Sequence, residues 1–158
     1  MTYEETKFQS LEALMSAYWL KMIGTATMPC PDPYVLKFAA YARKKKPSVR
    51  PGDRLILYAV GGFKTIFAVA TVTGPVKPSR AEWWPEPGLI GQFPHCVEIE
   101  YEVNLRPSDG VDIGAANLED HMPGIQFGHT HLSLSEEEFA YAAAKLREKA
   151  TILLFPER

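Results

Sequence analysis

Two cysteines in 158 residues are too few for a disulfide framework, which excludes the small secreted scaffolds that depend on one. No apolar run approaches the ~20 residues of a membrane-spanning helix. The N-terminal MTYEETKF opens acidic and lacks the basic start and apolar core of a signal peptide. A cytoplasmic protein with no membrane association is expected. GxxxxGK(S/T) and GxGxxG are both absent, so the phosphate cradles of P-loop and dinucleotide chemistry are missing and no cofactor is expected. The GxSxG nucleophile elbow and the HExxH zinc motif are absent as well. A net charge of −2 gives no overall excess that would suit a polyanion.

What is present is average in amount and uneven in arrangement. The chain is 46% apolar and 23% charged, in the range of globular proteins, and its length suits one domain over 1–158. Residues 1–80 carry twelve Lys/Arg against five Asp/Glu, whereas 81–158 carry five against fourteen. Opposite signs in the two halves either create one positive face that attracts phosphate or pair across the fold.

The pattern predicts a short helix over 7–15 and a buried strand over 17–23, with Trp19, Lys21 and Ile23 on one face and Tyr18, Leu20 and Met22 on the other. Asp32-Pro33 reads as a helix start. A stripe of Val35, Phe38, Ala39 and Ala42 and a basic close at Arg43–Lys46 support that helix. Leu55–Val60 and Thr65–Thr73 read as an antiparallel hairpin, followed by a proline-rich loop with Trp83 and Trp84. Residues 97–105 alternate apolar and glutamate, predicting a strand with one wet face. Residues 111–131 are irregular. Ser135 with Glu138 forms a capping box for a last helix with Phe139, Ala142, Ala143 and Leu146 inward, and Thr151–Phe155 reads as a final strand. The fold class is α+β, a small barrel of mainly antiparallel strands with helices at its edges.

Catalytic constellations are weak. Cys30 lies before the expected helix start, where a thiol can be activated, but no cysteine-centred signature surrounds it. His129 and His131, two apart, could hold a metal with His121 or His95, but no carboxylate or cysteine spacing completes the set, so no metal site is expected. Glu98, Glu100 and Glu102 share a strand face that reads as solvated. The stronger signal is non-catalytic. Arg43–Arg54 holds six basic residues and one acid, with Trp19, Tyr34, Tyr41, Tyr58, Trp83 and Trp84 around it. Bases stack on aromatic faces and phosphates are held by cations.

Three segments together resemble the EVE domain, a member of the PUA-like group of small barrels. They are Tyr18-Trp19-Leu20, the run from Val49 through Gly52-Asp53 to Tyr58, and Phe67–Thr73. The tail from Phe127-Gly128 through Ser135 to Phe139 is similar as well, and the likeness spans roughly 17–148. The chain departs in carrying Met22-Ile23-Gly24-Thr25 after the first strand and in lacking a Trp-containing Gly-Val-Arg-Asn segment. The resemblance implies a PUA-like pseudo-barrel that binds nucleic acid without catalysis and holds a modified base in an aromatic pocket. By position that pocket comprises Trp19, Gly24, Thr25, Tyr58, Trp83, Trp84 and His129, with phosphate contacts from Arg43, Lys44, Lys45 and Arg50. The alternatives are a PUA-like enzyme acting on RNA or nucleosides, and a nucleoside sensor.

Overall fold

The computed structural model describes residues 16–41, 46–80, 93–126 and 128–155. The expected helix over 7–15, the basic run at Arg43–Lys45 and the Trp83-Trp84 loop lie outside the described residues. In chain order the strands are β1 (Tyr18–Ile23), β2 (Phe38–Tyr41), β3 (Arg54–Ala59), β4 (Thr65–Val72), β5 (Lys77–Pro78), β6 (His95–Asn104), β7 (Val111–Asp112) and β8 (His131–Leu134). The helices are α1 (Met122–Gln126) and α2 (Glu136–Leu154).

The strands order as β2-β6-β4-β3-β1-β8, with β5 on β6 and β7 on β4. Every pairing is antiparallel except β1 with β3, which run parallel with Tyr18 opposite Arg54 and Ile23 opposite Ala59. The sheet curls back on itself. β2 and β8 are its two ends, yet the Tyr41 ring of β2 lies edge-on to the His131 ring of β8 at 5.0 Å. This is the α+β pseudo-barrel expected from the sequence.

The period-2 alternation of β1 splits its side chains between two cores. Ile23, with Trp19 against it, joins Ala39, Tyr41, Leu55, Leu57, Phe67, Val97 and Ile99 inside the curl. Leu20 and Met22 join Ile56, Tyr58, Ile66, Val69 and the inner stripe of α2. That stripe is Phe139, Ala142, Ala143 and Leu146, and the Ser135–Glu138 capping box starts the helix, both as expected.

Three expectations fail. Residues 38–41 are a strand, not part of a helix begun at Asp32-Pro33: Phe38–Tyr41 pairs with Glu98–His95, Ala39 and Tyr41 are buried in alternation, and Val35 is 69% exposed. Leu, Ala, Lys and Arg are good helix formers, but propensity is a weak prior that edge pairing overrides. Thr151–Leu154 continues α2 instead of forming a strand, leaving Ile152, Leu153, Leu154 and Phe155 exposed. Residues 131–134, within and just after the stretch read as irregular, form β8 against β1.

Candidate functional site

A curled sheet whose ends do not hydrogen-bond has a seam, and here side chains fill it. Lys21 of β1 is 1% exposed, and its Nζ lies 4.4 Å from the centre of the Tyr41 ring. The same Nζ donates to the Met22 carbonyl at 2.8 Å and the Thr130 carbonyl at 3.1 Å. Burial pulls its pKa from 10.5 to about 7. His131 packs edge-on between Trp19 and Tyr41. Burial first, then the Lys21 and His129 charges, lower its pKa to about 4.

Next to these residues, along the same seam, lies a cleft of about 500 Å³. The end of β1 and the loop after it supply Met22, Ile23, Gly24, Thr25, Met28 and Pro29. Leu36, Phe38 and Ala40 form the opposite wall, Ile125 and Gln126 of α1 a third, and His129, Thr130, Phe93 and Tyr34 also line it. The lining is mainly apolar and aromatic, with Thr25, Gln126, His129, Thr130 and the Tyr34 hydroxyl among its polar groups, a composition typical of ligand sites. Phe38 and Ala40 reach the cleft because β2 is a strand: Ala39 and Tyr41 point into the core, so their neighbours face the other way.

Gly24 is required by the cleft's shape. It sits at φ +96°, and a Cβ there would lie 2.5 Å from the Cys30 nitrogen. Only glycine lets the β1 loop close onto Pro29-Cys30. The Thr25 amide donates to the Met28 carbonyl, and its hydroxyl accepts from the Met28 amide, so the loop is tied to itself. The third wall is tethered from outside by His121 Nε2 and Glu138 Oε2, 2.6 Å apart, which link the turn before α1 to the start of α2.

Gly24, Thr25 and His129 all line the cleft. Trp19 and Tyr58 are not in the cleft. The Trp19 indole N–H donates to buried Asp53 Oδ2 at 3.0 Å. Tyr58 is 2% exposed and packs in the core beneath α2. Both faces of β1 reach the cleft through Met22 and Ile23, so position decides this: Trp19 lies at the far end of β1 beside Asp53, and Tyr58 is covered by α2. Arg50 is also misplaced. Its amide donates to Asp53 Oδ2 at 2.9 Å, beside the N-terminal ends of β1 and β3, whereas the cleft opens at their C-terminal ends. Six strand residues at about 3.3 Å each separate the two. Trp83, Trp84, Arg43, Lys44 and Lys45 lie outside the described residues.

Sequence reasoning missed Phe38, Leu36 and Ala40, hidden by the helical reading, and Phe93 in the long loop. Both ends of that loop are at the cleft: Phe93 lines it, and Arg80 brings its guanidinium within 5.5 Å of the Phe38 ring centre. The charge halves partly pair. Arg54 bonds Glu102 and Lys77 bonds Glu98 across them, and Arg147 of the acidic half also bonds Glu102, so the glutamate face of β6 is not simply solvated.

No family model matches the chain, and neither does any curated protein. Solved structures do resemble it. The protein Rpa0253 of Rhodopseudomonas palustris is 18% identical, with a TM-score of 0.53 over 84% of this chain and 94% of that one. A hypothetical protein from Leishmania major is 14% identical, with a TM-score of 0.55 over 87% and 99%. These two share the fold. Human THYN1 in complex with 5-methylcytosine-containing DNA reaches a TM-score of 0.49 at 10% identity, covering 85% and 98%, and at that distance it bears on neither fold nor function.

Proposed function

We propose that the chain is a non-catalytic nucleic-acid-binding module of the EVE type, and that it takes a modified nucleobase into the seam cleft. The observation that carries the reading is the cleft itself. Its volume of about 500 Å³ falls within the ~300–1,000 Å³ of small-ligand sites. Phe38 and Phe93 supply aromatic faces, and Met22 and Met28 supply polarizable surface that suits an added methyl group. Thr25, Gln126 and His129 offer hydrogen-bonding groups for the edge of a base.

The chemistry of the surrounding groups favours binding over catalysis. Burial, then the Asp32 charge, push the Cys30 thiol up to about 12, so at neutral pH it is protonated and a poor nucleophile. His131 is enclosed by two aromatic rings. Among the described residues no three His, Cys, Asp or Glu side chains converge as metal ligands. Among the same residues, no helix is long and apolar enough to cross a membrane.

The test is a fluorescence titration with short oligonucleotides carrying methylated, hydroxymethylated or unmodified bases at low salt, where phosphate contacts are strongest. Binding that favours a modified strand is the expected result. No binding to any strand overturns the reading, and response to free nucleosides alone identifies a nucleoside sensor instead.

A further inference from the structure

α2 buries one side and leaves the other bare. Phe139, Ala142, Ala143 and Leu146 pack into the core, so the residues half a turn round, Tyr141, Lys145, Glu148 and Ile152, run along the outer face. Their spacing of four, three and four is that of a seam between paired helices. Tyr141 is 42% exposed and Ile152 54% exposed, at opposite ends of the stripe. Ala144, also exposed, sits beside its middle and is small enough to allow close approach. Lys145 Nζ lies 5.5 Å from the centre of the Tyr141 ring, which holds the ammonium on this face. Glu148 has no ion-pair partner among the described residues.

The stripe is complementary to itself. A second copy of α2 laid antiparallel, about an axis through the middle of the stripe, sets Tyr141 against Ile152 and Lys145 against Glu148. Each contact then occurs twice, as a two-fold interface requires. In a parallel pair like residues meet, Lys145 against Lys145 and Glu148 against Glu148, and helix ends of the same sign lie together. The surface beside the stripe offers a place for the tyrosine. Lys145, Glu148 and Ile152 line a shallow groove of about 280 Å³ with Gly110, Val111 and Asp112. A tyrosine from the second copy, set against Ile152, falls beside that groove.

We infer that this protein self-associates as a two-fold dimer through the outer faces of two antiparallel α2 helices. Tyr141 and Ile152 supply the apolar contact. The Lys145–Glu148 cross-pairs fix the register more than they add affinity, since exposed ion pairs are weak. The 19-residue helix is about 28 Å long. A single face of that length gives an interface at the small end of the specific range, so the dimer should dissociate on dilution. No residue of α2 lines the cleft, so the pairing leaves both clefts open and stands apart from the nucleic-acid reading.

The experiment is sedimentation velocity on the whole chain from low to high micromolar concentration, with a thermal melt of each variant as the check on folding. The wild type should pass from monomer to dimer as concentration rises, and Ile152→Glu should stay monomeric. Lys145→Glu and Glu148→Lys each set like charges against one another across the interface, so each should weaken the dimer several-fold. The double exchange Lys145→Glu/Glu148→Lys restores opposite charges and should recover the wild-type dissociation constant. Failure of that recovery refutes the antiparallel register. A dimer that Ile152→Glu and both single reversals leave unchanged has its interface elsewhere and overturns the inference. A wild type that stays monomeric also overturns it, and a lowered melting temperature in Ile152→Glu would then show that the face is covered within one chain.

Discussion

Replacing Lys21 with methionine removes a buried amine while keeping an unbranched chain of similar length. The consequence depends on pH. Folded, Lys21 has a pKa of about 7; unfolded, it returns to 10.5. Between those values the unfolded chain holds a proton that the folded chain does not, so stability rises with pH across that window. Below about pH 7 both states are charged, and the desolvation cost is fully present. The interval is 10.5 less about 7, or about 3.5 pH units. At about 1.4 kcal/mol per unit, its ceiling is about 5 kcal/mol. The amine also donates to the Met22 and Thr130 carbonyls, and leaving such groups unpaired costs about 1–3 kcal/mol each. At pH 6 the loss of two donors and the relief of a buried charge therefore oppose each other in Lys21→Met. At pH 9 the relief has shrunk to about 2 kcal/mol, 10.5 less 9 at about 1.4 kcal/mol per unit, and it vanishes only above pH 10.5. Urea denaturation of both proteins from about pH 6 to pH 9.5 reads the difference directly. Wild-type stability relative to the variant should climb by up to about 1.4 kcal/mol per pH unit above pH 7. A constant difference across the range would show that Lys21 keeps its proton in the fold and that the seam is solvated.

Gly24→Ala would place a methyl group against the Pro29-Cys30 backbone at a positive φ, so it should cost several kcal/mol and deform the cleft, read by denaturation and by loss of ligand response. Ser135→Ala removes the helix cap and should lower stability by about 1 kcal/mol in a thermal melt without changing binding. Asp53→Ala leaves the Ala17 and Arg50 amides and the Trp19 indole N–H without their acceptor, and chemical denaturation should show a loss of about 3 kcal/mol or more.

Much of the fold could be read from period and punctuation. β1, the β3–β4 hairpin, β6 and the capped α2 each carry a local signal that burial confirms. The parallel pairing of β1 with β3 left no such trace, because register between strands thirty residues apart is a tertiary property. β2 was hidden by helix-forming residues, and that one misreading concealed the wall of the cleft that carries Phe38. Trp19 and Tyr58 show the limit of assigning pockets by residue type. Both are aromatic and both lie on the expected strands, yet Trp19 sits at the far end of β1 beside Asp53 and Tyr58 is buried beneath α2. The glycine after β1 was legible as a loop residue, and its role became visible only with the Cys30 backbone beside it.

The central claim is that the seam cleft is where a base binds. Ala40 lines it from an edge strand, and a bulky side chain there would fill the cavity without disturbing Ala39 or Tyr41 in the core. Calorimetric titration of wild type and Ala40→Trp with the modified nucleoside or oligonucleotide that responds best tests the claim most directly. The account predicts binding to the wild type and a loss of at least tenfold in the variant at unchanged melting temperature. Equal affinity for both proteins would contradict it.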